Sequence, residues 1–104
     1  MKIMGIESKL SDDNSVLTIS VKGVFNFTLL NEFRQAYTDN DIASADVIVD
    51  LGNATSLDSS ALGMLLSMQE YLGKPDGKIK IVNCNESVMK VFNITRFDKK
   101  FNIE

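Results

Sequence analysis

Two strand-like runs with a helix-length stretch between them constrain the fold of this chain more than any other feature. The first run, residues 46–51, is a continuous apolar segment with acids at its borders, which is typical of a strand covered on both faces. Residues 61–72 are apolar beyond strand length and are followed by Gly73 and Pro75, which predicts a helix that ends there. Residues 78–82 form the second strand-like run. A strand, a helix and a further strand in this order need a crossover connection, so the two strands are expected to be parallel.

A β-hairpin is predicted at the start of the chain. Residues 16–21 alternate in polarity and are rich in β-branched side chains, and the turn formers of residues 11–14 precede them. The partner strand is expected within residues 5–10, where charged residues alternate with uncharged ones. Two strands joined by so short a turn are expected to be antiparallel.

Two more helices and a last strand complete the predicted order. Apolar residues recur at helical spacing within residues 27–37, and Asn26 or Thr28 is the expected N-cap. A third helix is expected after Asn85, which is a suitable N-cap. A short final strand is expected within residues 101–103.

This order of elements predicts a single α/β domain. Its mixed sheet is expected to have four to five strands, with an antiparallel opening hairpin, largely parallel strands after it, and helices packed on the sheet. The chain of 104 residues is long enough for one domain over residues 1–104, and its hydrophobic share of 44% is ordinary for a globular protein.

The composition disfavours most catalytic and metal-binding chemistry. Histidine is absent, which removes the commonest general base and metal ligand, and the single Cys84 can form neither an intramolecular disulfide nor a zinc site. The 11 basic and 14 acidic residues give a net charge of −3, which disfavours nucleic acid as a ligand. We therefore expect no catalytic residue, metal or cofactor. Without a signal peptide or a membrane-length apolar run, a cytoplasmic protein with no membrane insertion is predicted.

The segment between the third strand and its helix carries the candidate site. It reads Asp58-Ser59-Ser60-Ala61-Leu62-Gly63 and follows a polar stretch, residues 52–57, that is expected to form a short loop. If Ser59 is the N-cap of the helix, its hydroxyl lies where unpaired N–H groups and the positive end of the helix dipole favour a phosphate. From the residues alone, a solvent-facing helix with Ser59 as an ordinary N-cap explains the pattern equally well.

A helical wheel divides the predicted second helix into two faces. One face holds mostly small or polar side chains: Ser59, Ser60, Gly63, Ser67 and Glu70. The opposite face is apolar and consists of Ala61, Met64, Leu65, Met68, Tyr71 and Leu72, with Leu62 and Leu66 at its far edge. Because small side chains let another protein approach closely, the polar face together with Asp58 is the predicted partner-binding surface.

The six residues from Asp58 to Gly63 resemble the D-S-[ST]-G-L-G signature of the STAS domain, the fold of bacterial anti-sigma factor antagonists. The order of elements is also similar along nearly the whole chain. The resemblance implies that a serine kinase, which is also the anti-sigma factor, phosphorylates Ser59 and binds the protein only while Ser59 is unmodified. A serine phosphatase would restore binding, and Asp58 would be the acid beside the acceptor hydroxyl.

Two positions depart from the pattern of that family. Ala61 stands where the family usually has Gly, which raises helix propensity and removes a bare backbone that a partner can approach. The loop after Gly23 often carries an acid in the family, and this chain offers only Asn26 near that place. The change at Ala61 implies a different affinity or partner choice from that of the family, and Asn26 implies that one polar contact expected from the resemblance is missing.

Three alternative interpretations stand beside this one. Within the same fold, the chain could be a constitutive subunit of a larger assembly such as a lipid-transport ABC complex, with Ser59 acting only as a helix cap. Asp50, at the end of an apolar strand, is similar to the phosphoacceptor of response-regulator receivers, but receivers also need an acidic pair after their first strand and a Lys late in the sheet, and the pair Asp12-Asp13 here lies in a hairpin turn. An enzyme with Ser59 as nucleophile lacks a base, because no Lys follows three residues later.

Overall fold

The structure is a computed structural model that describes residues 5–38 and 44–104. Its strands are β1 (Ile6–Leu10), β2 (Val16–Phe25), β3 (Asp46–Leu57), β4 (Lys80–Val82) and β5 (Asn102–Ile103). Its helices are α1 (Leu30–Thr38), α2 (Ser59–Leu72) and α3 (Glu86–Thr95), with 3-10 turns at Phe27–Leu29 and Phe97–Lys99. The strands form one sheet in the order β1-β2-β3-β4-β5, antiparallel between β1 and β2 and parallel elsewhere. The predicted mixed α/β sheet is confirmed.

The opening hairpin follows from the chemistry of its turn. Ser11 N donates to the Val16 carbonyl oxygen at 2.8 Å, and Asn14 takes up the left-handed backbone conformation (φ 61°) that Asn tolerates. The Asp13 carboxylate accepts hydrogen bonds from the hydroxyls of Ser15 at 2.6 Å and Ser11 at 2.7 Å. These bonds favour its charged form and lower the pKa of Asp13 to about 2.

The core lies on one face of the sheet. Leu17, Ile19 and Val21 of β2 point into it, and they alternate with half-buried residues that lie on the opposite face. The buried apolar side chains of all three helices belong to the same hydrophobic cluster, so the described helices cover a single face. Phe33, Ala36 and Tyr37 of α1, Ala61, Met64, Leu65, Met68 and Gln69 of α2, and Val88 and Phe92 of α3 are buried.

The expectation that residues 46–51 are covered on both faces is wrong. Val49 is fully buried beneath the helices, whereas Ile48 is only half-buried on the other face of β3. Ile48 pairs across the strands with Thr18 and Lys80, and these neighbours give it partial cover without a second layer of helices. Ile48 is therefore an apolar residue of the outer face and not a second core position.

The third strand also continues beyond its predicted end. The predicted short loop over residues 52–57 is wrong, because β3 runs on to Leu57 and pairs with the end of β2 as far as Phe25. The pairing register shifts twice over this stretch, and Gly23 adopts the left-handed conformation (φ 81°) between the shifts. This irregular pairing carries both strands to the edge of the sheet where the candidate site lies.

Candidate functional site

The candidate site lies at the sheet edge where the parallel strands β2, β3 and β4 end. A helical segment starts soon after each of these strands, and its N-cap is Asn26, Asp58 or Asn85 respectively. Asn85 also donates from its Nδ2 atom to the carbonyl oxygen of Ala54 at 3.1 Å, which holds the start of α3 against β3. Three helical N-termini, each capped by a side chain, thus begin at the same edge of the sheet.

Asp58, and not Ser59, is the N-cap of α2, so the expectation that Ser59 caps this helix is wrong. The Asp58 carboxylate accepts hydrogen bonds from Ser60 N at 2.9 Å and Ala61 N at 3.2 Å. It also accepts from the Ser60 hydroxyl at 2.6 Å, and this bond is the main cause that lowers the pKa of Asp58 below its usual value. The donors at the start of α2 that were expected to hold a phosphate are therefore engaged by Asp58.

The two serines of the motif have different environments. The Ser60 side chain is half-buried and its hydroxyl donates to Asp58. Ser59 is the first residue of α2 and is exposed. Ser59 is therefore accessible at the surface, whereas the Ser60 hydroxyl is engaged by the cap.

The outward face of α2 is less polar than the helical wheel indicates. Gly63, Ser67 and Glu70 are exposed as expected, and an added Cβ at Gly63 would meet no atom within 4 Å. Leu66 is 38% exposed and Tyr71 is 62% exposed, so their assignment to the apolar side is wrong. The exposed face contains no Lys or Arg, because α2 has none.

Tyr71 is exposed because it lies beside α1 and not beneath it. Its ring meets the edge of the Tyr37 ring, with the centroids 5.5 Å apart, at a groove between α1 and α2 that Arg34 also lines. Tyr37 is buried, and burial raises the pKa of its hydroxyl. Ser67 lines the same groove, so the polar face of α2 continues into it.

Two exposed apolar side chains lie where β2 ends and the 3-10 turn begins. Val24 is 50% exposed and Phe27 is 66% exposed, whereas Phe25 between them is fully buried. Asp58 N donates to the Phe25 carbonyl oxygen at 3.4 Å, which joins this loop to the start of α2. The 3-10 turn that begins at Phe27 also lies against α2. Neither residue was among the predicted site residues, although the alternation of Val24, Phe25 and Asn26 along a strand could have placed Val24 outward.

The other candidate residues lie apart from this edge or serve the fold. Asp50 lies on the outer face of β3 and accepts hydrogen bonds from Gly52 N at 2.9 Å and Asn83 Nδ2 at 3.1 Å, a local structural role. Cys84 is half-buried, and burial raises the pKa of its thiol. Within residues 5–38 and 44–104, no cluster of three or more acidic or Cys side chains is arranged to hold a metal ion. None of the helices in these ranges is long and apolar enough to cross a membrane.

Comparison with known proteins agrees with this fold. A STAS-domain containing protein of Pseudomonas aeruginosa is 41% identical over 100 residues, which cover 96% of this chain and 99% of that protein. The anti-sigma factor antagonist SpoIIAA in its unphosphorylated form superposes with a TM-score of 0.74 at 16% identity, over 95% of this chain and 87% of SpoIIAA. An anti-sigma factor antagonist from Mycobacterium paratuberculosis superposes with a TM-score of 0.72 at 22% identity, over 94% and 84% of the two chains. The sequence profile of the STAS domain matches residues 7–104, and the chain belongs to the STAS domain family.

Proposed function

We propose that this protein is an anti-sigma factor antagonist that works by partner switching. In its unmodified form it binds a serine kinase that is also an anti-sigma factor, and this binding frees the sigma factor. Phosphorylation of Ser59 ends the binding, and a serine phosphatase restores it. The protein itself is a regulatory binding module without catalytic activity, and we place this cycle in the cytoplasm.

The exposed hydroxyl of Ser59 is the observation that carries the proposal. It lies at the first residue of α2, directly after the acidic cap, on a helix face with small neighbours such as Gly63 and Ser67. The half-buried Ser60, whose hydroxyl is bound to Asp58, is a poorer acceptor. The likeness of the fold to anti-sigma factor antagonists supports the same interpretation.

The proposed switch acts by charge at the surface. Transfer moves the γ-phosphoryl group of ATP to the Ser59 oxygen and releases ADP and the hydroxyl proton. The new group carries a charge of about −1.5 to −2 at neutral pH. It stands beside the Asp58 carboxylate, which already engages the N–H groups of Ser60 and Ala61. The added charge is thus poorly neutralised within the protein, and it repels and sterically excludes the partner.

The direct test is phosphorylation in vitro. The chain is incubated with Mg-ATP and the purified kinase of its own organism, and the site is mapped by tandem mass spectrometry. We expect one phosphate on Ser59 and none in the Ser59→Ala variant. A phosphate on Ser60, Thr55 or Ser56 instead would disprove the assignment.

Affinity capture separates this proposal from the alternative of a constitutive STAS subunit. Ser59→Ala is the suitable bait because it cannot be released by phosphorylation. A kinase-type ATPase among the captured proteins supports partner switching. Subunits of a lipid-transport ABC complex, bound equally well by Ser59→Ala and Ser59→Glu, would support the constitutive assembly.

A further inference from the structure

Strand β1 is an edge of the sheet. It pairs with β2 on one side, and no strand within residues 5–38 and 44–104 pairs with it on the other. Its three central residues, Glu7, Ser8 and Lys9, are exposed. The edge of a sheet presents backbone N–H and C=O groups to which a strand of another chain can bind.

The hydrogen bonds to β2 show which backbone groups of β1 face this edge. Lys22 N donates to the carbonyl oxygen of Gly5, which directly precedes β1, at 2.8 Å. In an antiparallel pair, the backbone groups of alternate residues point to the same side. The N–H and C=O groups of Ile6, Ser8 and Leu10 therefore point away from β2, toward the edge.

The charges of β1 are complementary to a second copy of the same strand. Glu7 and Lys9 carry opposite charges on either side of Ser8, and their cross-strand neighbours on β2 are the uncharged Ser20 and Thr18. If two copies of β1 pair about a two-fold axis at Ser8, Glu7 of each copy lies opposite Lys9 of the other, which is favourable. An axis at Glu7 or at Lys9 would instead place like charges opposite each other.

We propose that β1 pairs with β1 of a second copy of this chain, antiparallel and centred on Ser8, so that the two sheets become one. In this register Ser8 pairs with Ser8 of the second copy, and Ile6 pairs with Leu10 of the second copy. Every outward N–H and C=O group of β1 then has a partner, and the two charge pairs occupy the closely spaced positions between these hydrogen-bonded pairs. The inference goes beyond the partner switching proposed above and does not depend on it.

A second copy paired through β1 fits better than one paired through the opposite edge. β5, at that edge, has only two residues, and its pairing with β1 would continue from copy to copy without closing. The contact between two β1 strands closes after two copies. Because it involves one short strand from each copy, we expect a reversible dimer with a Kd of about 10–100 μM.

The experiment reverses the charges one at a time and then together. Sedimentation of the wild type, Glu7→Lys, Lys9→Glu and the double variant is followed up to a concentration of about 1 mM. Each single change places like charges opposite each other and should raise Kd about tenfold. The double variant restores opposite charges in exchanged positions, so its Kd should return to within about twofold of the wild type. Circular dichroism checks that all variants fold alike.

Hydrogen exchange locates the contact on the strand. At a concentration of about 1 mM, the Ser8 N–H should be more strongly protected in the wild type than in Glu7→Lys, because it points outward. The Lys9 N–H points toward β2 and should be equally protected in both, which makes it the internal control.

Three results would overturn the inference. These are a wild type that stays monomeric throughout, oligomers that grow beyond a dimer, and a dimer whose Kd the single changes leave unaltered or the double variant fails to restore. None of them bears on the phosphorylation of Ser59, which the mass-spectrometric assay tests separately.

Discussion

The stability that the Asp58 cap gives to α2 depends on the ionisation of the Asp58 carboxyl group. The hydroxyl of Ser60 donates to the Asp58 carboxylate at 2.6 Å and is the main cause of its lowered pKa. We expect Ser60→Ala to move the pKa of Asp58 back toward its usual value, as measured by NMR titration of the carboxyl carbon. A lowered pKa means that the cap stabilises the fold above about pH 3.8 and that this contribution is lost as the pH falls through the lowered value. An unchanged pKa in Ser60→Ala would contradict the assigned cause.

Replacement of the cap itself should cost measurable stability. Asp58→Ala leaves Ser60 N and Ala61 N without their side-chain acceptor. We expect a loss of about 1 kcal/mol in the free energy of unfolding, or roughly 4–8 °C in Tm, as measured by thermal denaturation. Asp58→Ser is the control, because Ser is also a good N-cap and should retain most of the stability. Equal stability of the Ala variant and the wild type would show that the cap is not stabilising.

Substitutions on the exposed face of α2 should affect partner binding without unfolding the protein. Gly63 is exposed with open space around its Cα, so Gly63→Ala should stabilise the helix by about 0.5–1 kcal/mol in urea denaturation. Gly63→Arg and Ser67→Arg should also fold, but their bulk should abolish binding to the proposed kinase partner. Leu65→Arg is the contrasting variant, since Leu65 is fully buried and an unpaired charge there should unfold the domain. Normal binding by both surface Arg variants would show that the partner does not use this face.

The sheet has one face packed against the helices and one that is only partly covered, so neighbouring residues of β2 should respond very differently to the same change. Ile19 is fully buried and Thr18 is half-buried on the opposite face. We expect Ile19→Lys to unfold the protein, whereas Thr18→Lys should cost less than about 1 kcal/mol, because its ammonium group can reach water. Circular dichroism and urea denaturation distinguish the two. If Thr18→Lys unfolded the protein, the sheet face that carries Thr18 would have to be covered more fully than the partial exposure of Thr18 indicates.

For the molecule as a whole, the proposed switch should change binding without changing the fold. Ser59 is exposed, and an acid near a helix N-terminus is favourable, so Ser59→Glu should alter the free energy of unfolding by no more than about 0.5 kcal/mol. The same variant should lose binding to the kinase, while Ser59→Ala should retain it. Calorimetry and urea denaturation on both variants provide the check. A large loss of stability in Ser59→Glu would point to a conformational switch instead of repulsion at a surface.

Local patterns along the chain predicted most of the elements and the motif. The turn chemistry of residues 11–14, the caps Asn26 and Asn85 and the apolar spacing of α2 act over a few residues, so they are legible without the fold. For the same reason the antiparallel hairpin and the parallel strands after it were predicted correctly. The motif that places Ser59 directly after Asp58 is also a local pattern and can be identified from the sequence alone.

Contacts between distant segments decided the remainder. β3 continues through its polar stretch only because the end of β2 pairs with it, and Ile48 is half-buried because no helix of the described residues covers that face. The cap of α2 is instead a local choice that the structure decided: the Asp58 carboxylate takes it and accepts from the Ser60 hydroxyl, while Ser59 is exposed. Of the two neighbouring phenylalanines, Phe25 fills the core and Phe27 lies at the surface. The sequence shows which side chains are apolar, and their periodicity indicates which of them share a face. Only the packing of other elements decides which apolar side chains remain exposed.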